Sequence, residues 1–215
     1  MRFDEGPNNN GVLLGIAAVA GAAIVLPMLF SKSSYAMFKF SEFVDLEATQ
    51  GIANRLSGLD EDNYVAQAWS IVADGIQYEP VASDIVFLDG TVKCRSCLMP
   101  NQVLAQKHPV GNFVAKSALL LSILRHKIPA SRVYMVMGEL RLNGVGGHAW
   151  VELEKSGSWY IIESTVSPSR TPLLSAESQQ ATYIPQVIVN DIDHRCLSGA
   201  ICVSVDKSRI CPCLQ

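Results

Sequence analysis

The chain has 215 residues, 49% of them apolar, and its 17 Lys and Arg against 20 Asp and Glu give a formal net charge of -3. A balance so close to neutral supplies no positive field to gather phosphates, so no nucleic-acid partner is expected, and the apolar share is too high for a disordered chain. Once an apolar N-terminal stretch is set aside, roughly 175 to 180 residues remain, the size of one domain with one core.

A short tail, 1–11, leads into Val12 to Phe30, and no charged residue occurs between Glu5 and Lys32. As a helix rising about 1.5 Å per residue this stretch reaches about 28 Å, close to the hydrocarbon thickness of a bilayer. A retained single-pass membrane helix over 12–30 is therefore expected, with membrane lipid as a partner and the membrane as location. A cleaved signal peptide is the rival, but Arg2 beside Asp4 and Glu5 makes a poor positive leader. Residues 31–41 read as a juxtamembrane connector, 42–190 as the folded domain and 191–215 as a cysteine-rich tail. Lys32 and Lys39 after the span favour a cytoplasmic domain.

Within the domain, Ser41 is expected to cap a helix running to about Arg55. A second helix is expected around Val65, Ala68, Trp69, Val72 and Ile76, which recur at helical spacing behind an acidic start. Glu79 to Pro109, broken by prolines and glycine, reads mostly as loop. The run FVAKSALLLSILRHK after Gly111 and Asn112 suits a buried helix from about Asn112 to Arg125, ended by Pro129. Three strands follow, RVYMVMGEL, HAWVELE and WYIIEST, joined tightly at Asn143-Gly144 and Ser156-Gly157 and hence antiparallel, and a further strand is expected at Tyr183 to Val189. Gly144, Gly146 and Gly147 serve a turn rather than a phosphate loop. Trp150 is read as packing against the buried helix.

His148 heads one strand and Glu163 lies near the end of the next, so the antiparallel ladder can set them side by side. A carboxylate on an imidazole fixes its tautomer and stabilises its cation, as a general base beside a nucleophile requires; a structural pair is the plainer reading of the same pattern.

The succession GNFVAKSALLLSILRHKIPAS, GHAWVEL and WYIIEST resembles the core of the transglutaminase-like domains, relatives of papain-type cysteine peptidases, over roughly residues 62 to 168. The resemblance implies an α+β fold, a buried helix packed on an antiparallel sheet, here preceded by the N-terminal transmembrane helix. In that family a Cys opens the buried helix, a His opens a strand in a Gly-His-Ala-Trp context and an Asp ends the next strand before a Thr. Carried over, His148 matches the His, Glu163 stands for the Asp ahead of Thr165, and the nucleophile position falls on Phe113. A phenyl ring can neither attack a carbonyl nor share a proton.

The resulting expectation is a membrane-anchored, catalytically inactive module with a structural or peptide-binding role among other proteins of a membrane-associated assembly. The alternative is a thiol-dependent acyl transferase, amidase or peptidase with His148 as base, Glu163 as its orienter and a displaced cysteine, Cys97 or else Cys94, as nucleophile. A third reading takes Phe113 as a change in an otherwise ordinary enzyme. Ser117 and Lys116, on the same helix face as Phe113, read as a helix serine and a marginal lysine. No cofactor is implied. Cys94, Cys97, Cys196, Cys202, Cys211 and Cys213 fit disulfides, free thiols, or a structural zinc on Cys94, Cys97, Cys211 and Cys213.

Overall fold

The computed structural model describes residues 38–79, 85–86, 92–93, 98–142, 144–165, 173–197 and 209–210, all within one compact unit, Ser34–Gln215. Its helices are α1 (Leu46–Leu56), α2 (Glu61–Gly75), α3 (Pro100–Leu104) and α4 (Phe113–Leu124). Three of them start where a short polar side chain accepts a bond from a free backbone N–H: Asp45 from Ala48, Asp60 from Asn63, and Asn112 from Ala115. The first helix thus begins at Asp45 rather than Ser41, because Phe40–Phe43 forms a tighter 3-10 turn ahead of it. The expected loop before α4 holds α3, started by Pro100, whose missing N–H costs nothing at a first turn.

The strands β1 (Val133–Leu140), β2 (Gly146–Lys155), β3 (Ser158–Ile162), β4 (Leu173–Ser175), β5 (Tyr183–Val189) and β6 (His194–Cys196) form one antiparallel sheet in the order β6-β5-β1-β2-β3-β4. Ser156 and Gly157, both at positive φ (54° and 81°), close the β2-β3 hairpin in the turn that matches strand twist. β5 returns from beyond β4 to pair with β1, a non-local step across the sheet.

Alternation along the strands sorts the side chains. Val133, Met135, Met137, Ala149, Val151, Leu153, Val187 and Val189 join the helices in the main core. Val136, Trp150, Ile161 and Tyr183 form a second cluster, so Trp150 does not pack on the buried helix as its sequence context suggested. α4 is buried along Val114–Leu124, with α1, α2 and α3 around it and the sheet beneath. Each leucine there contributes up to about 1.5–3 kcal/mol of burial.

The expected fold needs one correction. The α+β core with helices on an antiparallel sheet is present, but among the described residues no helix is long and apolar enough to cross a membrane. The most apolar described helix, α4, has 12 residues, about 18 Å, and is enclosed by protein. The segment 12–30 lies outside the described residues. The expectations built on it, a transmembrane helix, a single-pass membrane location and a lipid partner, have no support in this fold.

Candidate functional site

β1 and β2 pair Gly138 with His148, and β2 and β3 pair Val151 with Ile162. The next residue after β3, Glu163, therefore comes back beside the start of β2 on the face that carries His148 and Trp150. The His148 Nε2 to Glu163 Oε2 distance is 2.7 Å, and only 7% of His148 and 5% of Glu163 is exposed. Thr165 donates to the other carboxylate oxygen through its backbone N–H (2.9 Å) and its hydroxyl (2.7 Å). The Tyr183 hydroxyl donates to Oε2 at 3.3 Å. Trp69 Nε1 holds the Glu163 backbone carbonyl at 2.8 Å, tying α2 to the end of β3.

Burial pushes the Glu163 carboxyl up, but the His148 charge and hydrogen bond and the two Thr165 donors outweigh it and leave the group below the usual carboxylate range. Glu163 is thus an acceptor only, so His148 Nε2 donates to it, and Nδ1 is the ring nitrogen left for proton exchange. Such an imidazole can take a proton at Nδ1 while the carboxylate stabilises the cation formed.

Phe113 opens α4, and its ring centroid lies 5.3 Å from that of His148, tilted by 52°. Trp150 stacks near the imidazole at 6.3 Å, and Tyr183 lies 6.3 Å from His148 and 5.2 Å from Trp150. Three aromatic rings therefore surround the imidazole. Tyr78 stands within electrostatic reach of Glu163, whose charge, after burial, raises the phenol.

Two further α4 side chains have structural employment. The Ser117 hydroxyl donates to the Ala149 carbonyl at 3.0 Å, with Ser164 at 3.5 Å, deep in the core. Lys116, expected at a helix margin, is 1% exposed. Its ammonium caps the end of α2 by donating to the carbonyls of Ala73 (3.1 Å) and Ile76 (2.7 Å).

Burial draws the Lys116 amine down to about 8, against the opposing charges of Glu163 and Asp74. The unfolded chain then binds more protons above that value, so stability rises as pH climbs from about 8 toward the free-lysine range. Relative to Lys116→Met, the native chain is expected to gain about 1.5 kcal/mol between pH 8 and 9.5, measured by urea unfolding. Parallel curves for the two chains contradict this.

Cys94, Cys97, Cys202, Cys211 and Cys213 lie outside the described residues, as does the Cys196 side chain. Among the described residues no group of three or more His, Cys, Asp or Glu could hold a metal ion. Sequence pattern placed His148 and Glu163 together but missed Tyr183, Tyr78 and the Trp69 anchor, since each reaches the pair from an element distant in sequence.

No family model and no curated protein matches the chain. Solved structures do. Calcium-bound Legionella pneumophila LapG superposes with a TM-score of 0.50 at 13% identity, covering 75% of this chain and 83% of that one. Another LapG structure gives 0.52 at 12%, covering 71% and 77%, and EGTA-treated LapG gives 0.50 at 10%, covering 71% and 75%. The fold is that of transglutaminase-like and papain-like proteins. Identity this low speaks for the fold alone.

The expectation of a membrane-anchored, inactive assembly module is accordingly corrected. Its anchor finds no helix among the described residues, and the likeness to solved structures extends to the fold of its α+β core.

Proposed function

We propose that the chain performs thiol-dependent acyl transfer, as an amidase, peptidase or acyltransferase at a peptide or glutamine carbonyl. The observation that carries this reading is the buried 2.7 Å contact of His148 Nε2 with Glu163 Oε2, which turns Nδ1 to the role of base. In the step proposed, Nδ1 takes the thiol proton and the thiolate attacks the carbonyl carbon. His148 then protonates the departing amine, and water or a second amine releases the acyl group from the thioester.

Phe113 stands where the family resemblance puts the nucleophile, so the thiol has to come from elsewhere. Cys97 is assigned that role because Leu98 and Met99, the residues that follow it, are buried in the same core as α4.

The test is mass-spectrometric labelling of the full chain with a limiting thiol-reactive electrophile at pH 7, native against His148→Ala. One cysteine, Cys97, is expected to label at least about tenfold faster than the others and to lose that lead in the variant. Uniform, slow labelling indifferent to His148 sinks the proposal.

A further inference from the structure

The Glu163 carboxylate is held at four points, and three of them are local or inherent in the pair: the Thr165 N–H, the Thr165 hydroxyl and His148. The fourth comes from β5, a strand that begins 20 residues later and must cross the sheet to reach the site. We infer that Tyr183 is a positioning residue, whose hydroxyl, bonded to the same Oε2 that accepts from His148, keeps the Glu163 carboxylate turned onto the imidazole.

Thr165 binds only Oε1, so by itself it leaves the carboxylate free to pivot about that oxygen. A donor on Oε2 fixes the second point and with it the plane of the group. The phenol is suited to the task, because burial first, and then the Glu163 charge, keep it protonated far above the usual range. Its ring is fixed edge-on against Trp150 at 5.2 Å, so the hydroxyl has little freedom to wander.

Gly138 explains how β5 comes close enough. It sits opposite His148 on β1 and beside Pro185 on β5, next to a register shift between Pro185 and Val187. A Cβ on Gly138 would stand 2.0 Å from the Ile184 carbonyl oxygen and 3.0 Å from the Trp150 ring. Any side chain there would force β5 outward at the residue adjoining Tyr183. The absent side chain of Gly138 and the hydroxyl of Tyr183 thus work as one device.

This inference rests on the reading of His148 as a base, and the readout is chosen to be independent of any thiol. Among the described residues, the titratable groups facing the pair are Tyr183, Tyr78 and Lys116; Tyr183→Phe removes one hydroxyl and leaves the others. In the native chain at pH 7 the His148 Nε2 proton is expected as a slowly exchanging nuclear magnetic resonance signal. In Tyr183→Phe its exchange is expected to accelerate at least about tenfold, the smallest factor a hydrogen bond to a charged group carries. Gly138→Ala is expected to reproduce the acceleration with the hydroxyl still present. If Tyr183→Phe folds and the Nε2 proton exchanges at the native rate, Tyr183 is only a packing residue and the inference is overturned. Absence of a His148-dependent thiol, with accelerated exchange in Tyr183→Phe, overturns the acyl-transfer reading and leaves the positioning role standing.

Discussion

Glu163→Ala is expected to cost about 3–5 kcal/mol of folding stability, the range found when one partner of a buried charge pair is removed. The deletion strands donors on every side: His148 Nε2, the Thr165 N–H and hydroxyl, and the Tyr183 hydroxyl all lose their acceptor. Water has poor access to a residue so deeply buried, so these groups would carry most of their desolvation cost. The dependence on pH has a definite sign. The folded-state carboxyl is held below its ordinary value, so its contribution is present above the unfolded value of about 4.3 and is lost as pH falls through the folded one. The gap between native and Glu163→Ala measured by urea unfolding is therefore expected to be widest near neutrality and to narrow on acidification below about pH 4. Glu163→Gln, which keeps an acceptor oxygen and the side-chain volume, is expected to lose clearly less. A gap for Glu163→Ala under about 1 kcal/mol at pH 7 contradicts the buried network.

Trp69→Ala is expected to lose a similar amount, about 3–5 kcal/mol, for two separable reasons. The indole is buried in the main core, and its Nε1–H donates to the Glu163 carbonyl. Trp69→Phe keeps most of the volume and isolates the second term, expected at about 1 kcal/mol. Because Trp69 grips the backbone of the very residue whose side chain binds His148, Trp69→Phe and Glu163→Gln are expected to couple by more than about 0.5 kcal/mol in a double-mutant cycle. Strict additivity would show that the Trp69 anchor and the carboxylate network act apart.

Local chemistry made much of the scaffold legible. Asn112 ahead of a largely apolar run announced α4 almost to the residue, and the alternation around Ser156-Gly157 announced the β2-β3 hairpin. Hairpin pairing alone brought His148 and Glu163 together. What stayed hidden was non-local. β4 and β6 are three residues each and have no periodicity to read. Tyr183 looked like the first residue of an ordinary strand, because its partner becomes visible only once β5 is known to lie beside β1. Lys116 misled for a different reason: in sequence an ammonium suggests a solvated margin, and only the end of α2, arriving from forty residues upstream, supplies the carbonyls that let it be buried. The 12–30 stretch had the length and apolarity of a membrane helix, but hydropathy alone says nothing of what the described domain does, and no described helix carries that role.

Acyl transfer here requires that the His148 and Glu163 pair activate a thiol. Its most direct test is the rate of cysteine labelling against pH, followed residue by residue in the native chain and in Glu163→Gln. One cysteine is expected whose rate is already near its plateau well below the free-thiol range of about 8.5, and whose profile moves back toward that range when Glu163 is changed. If every cysteine titrates near about 8.5 in both chains, the pair activates no thiol and the acyl-transfer reading is wrong.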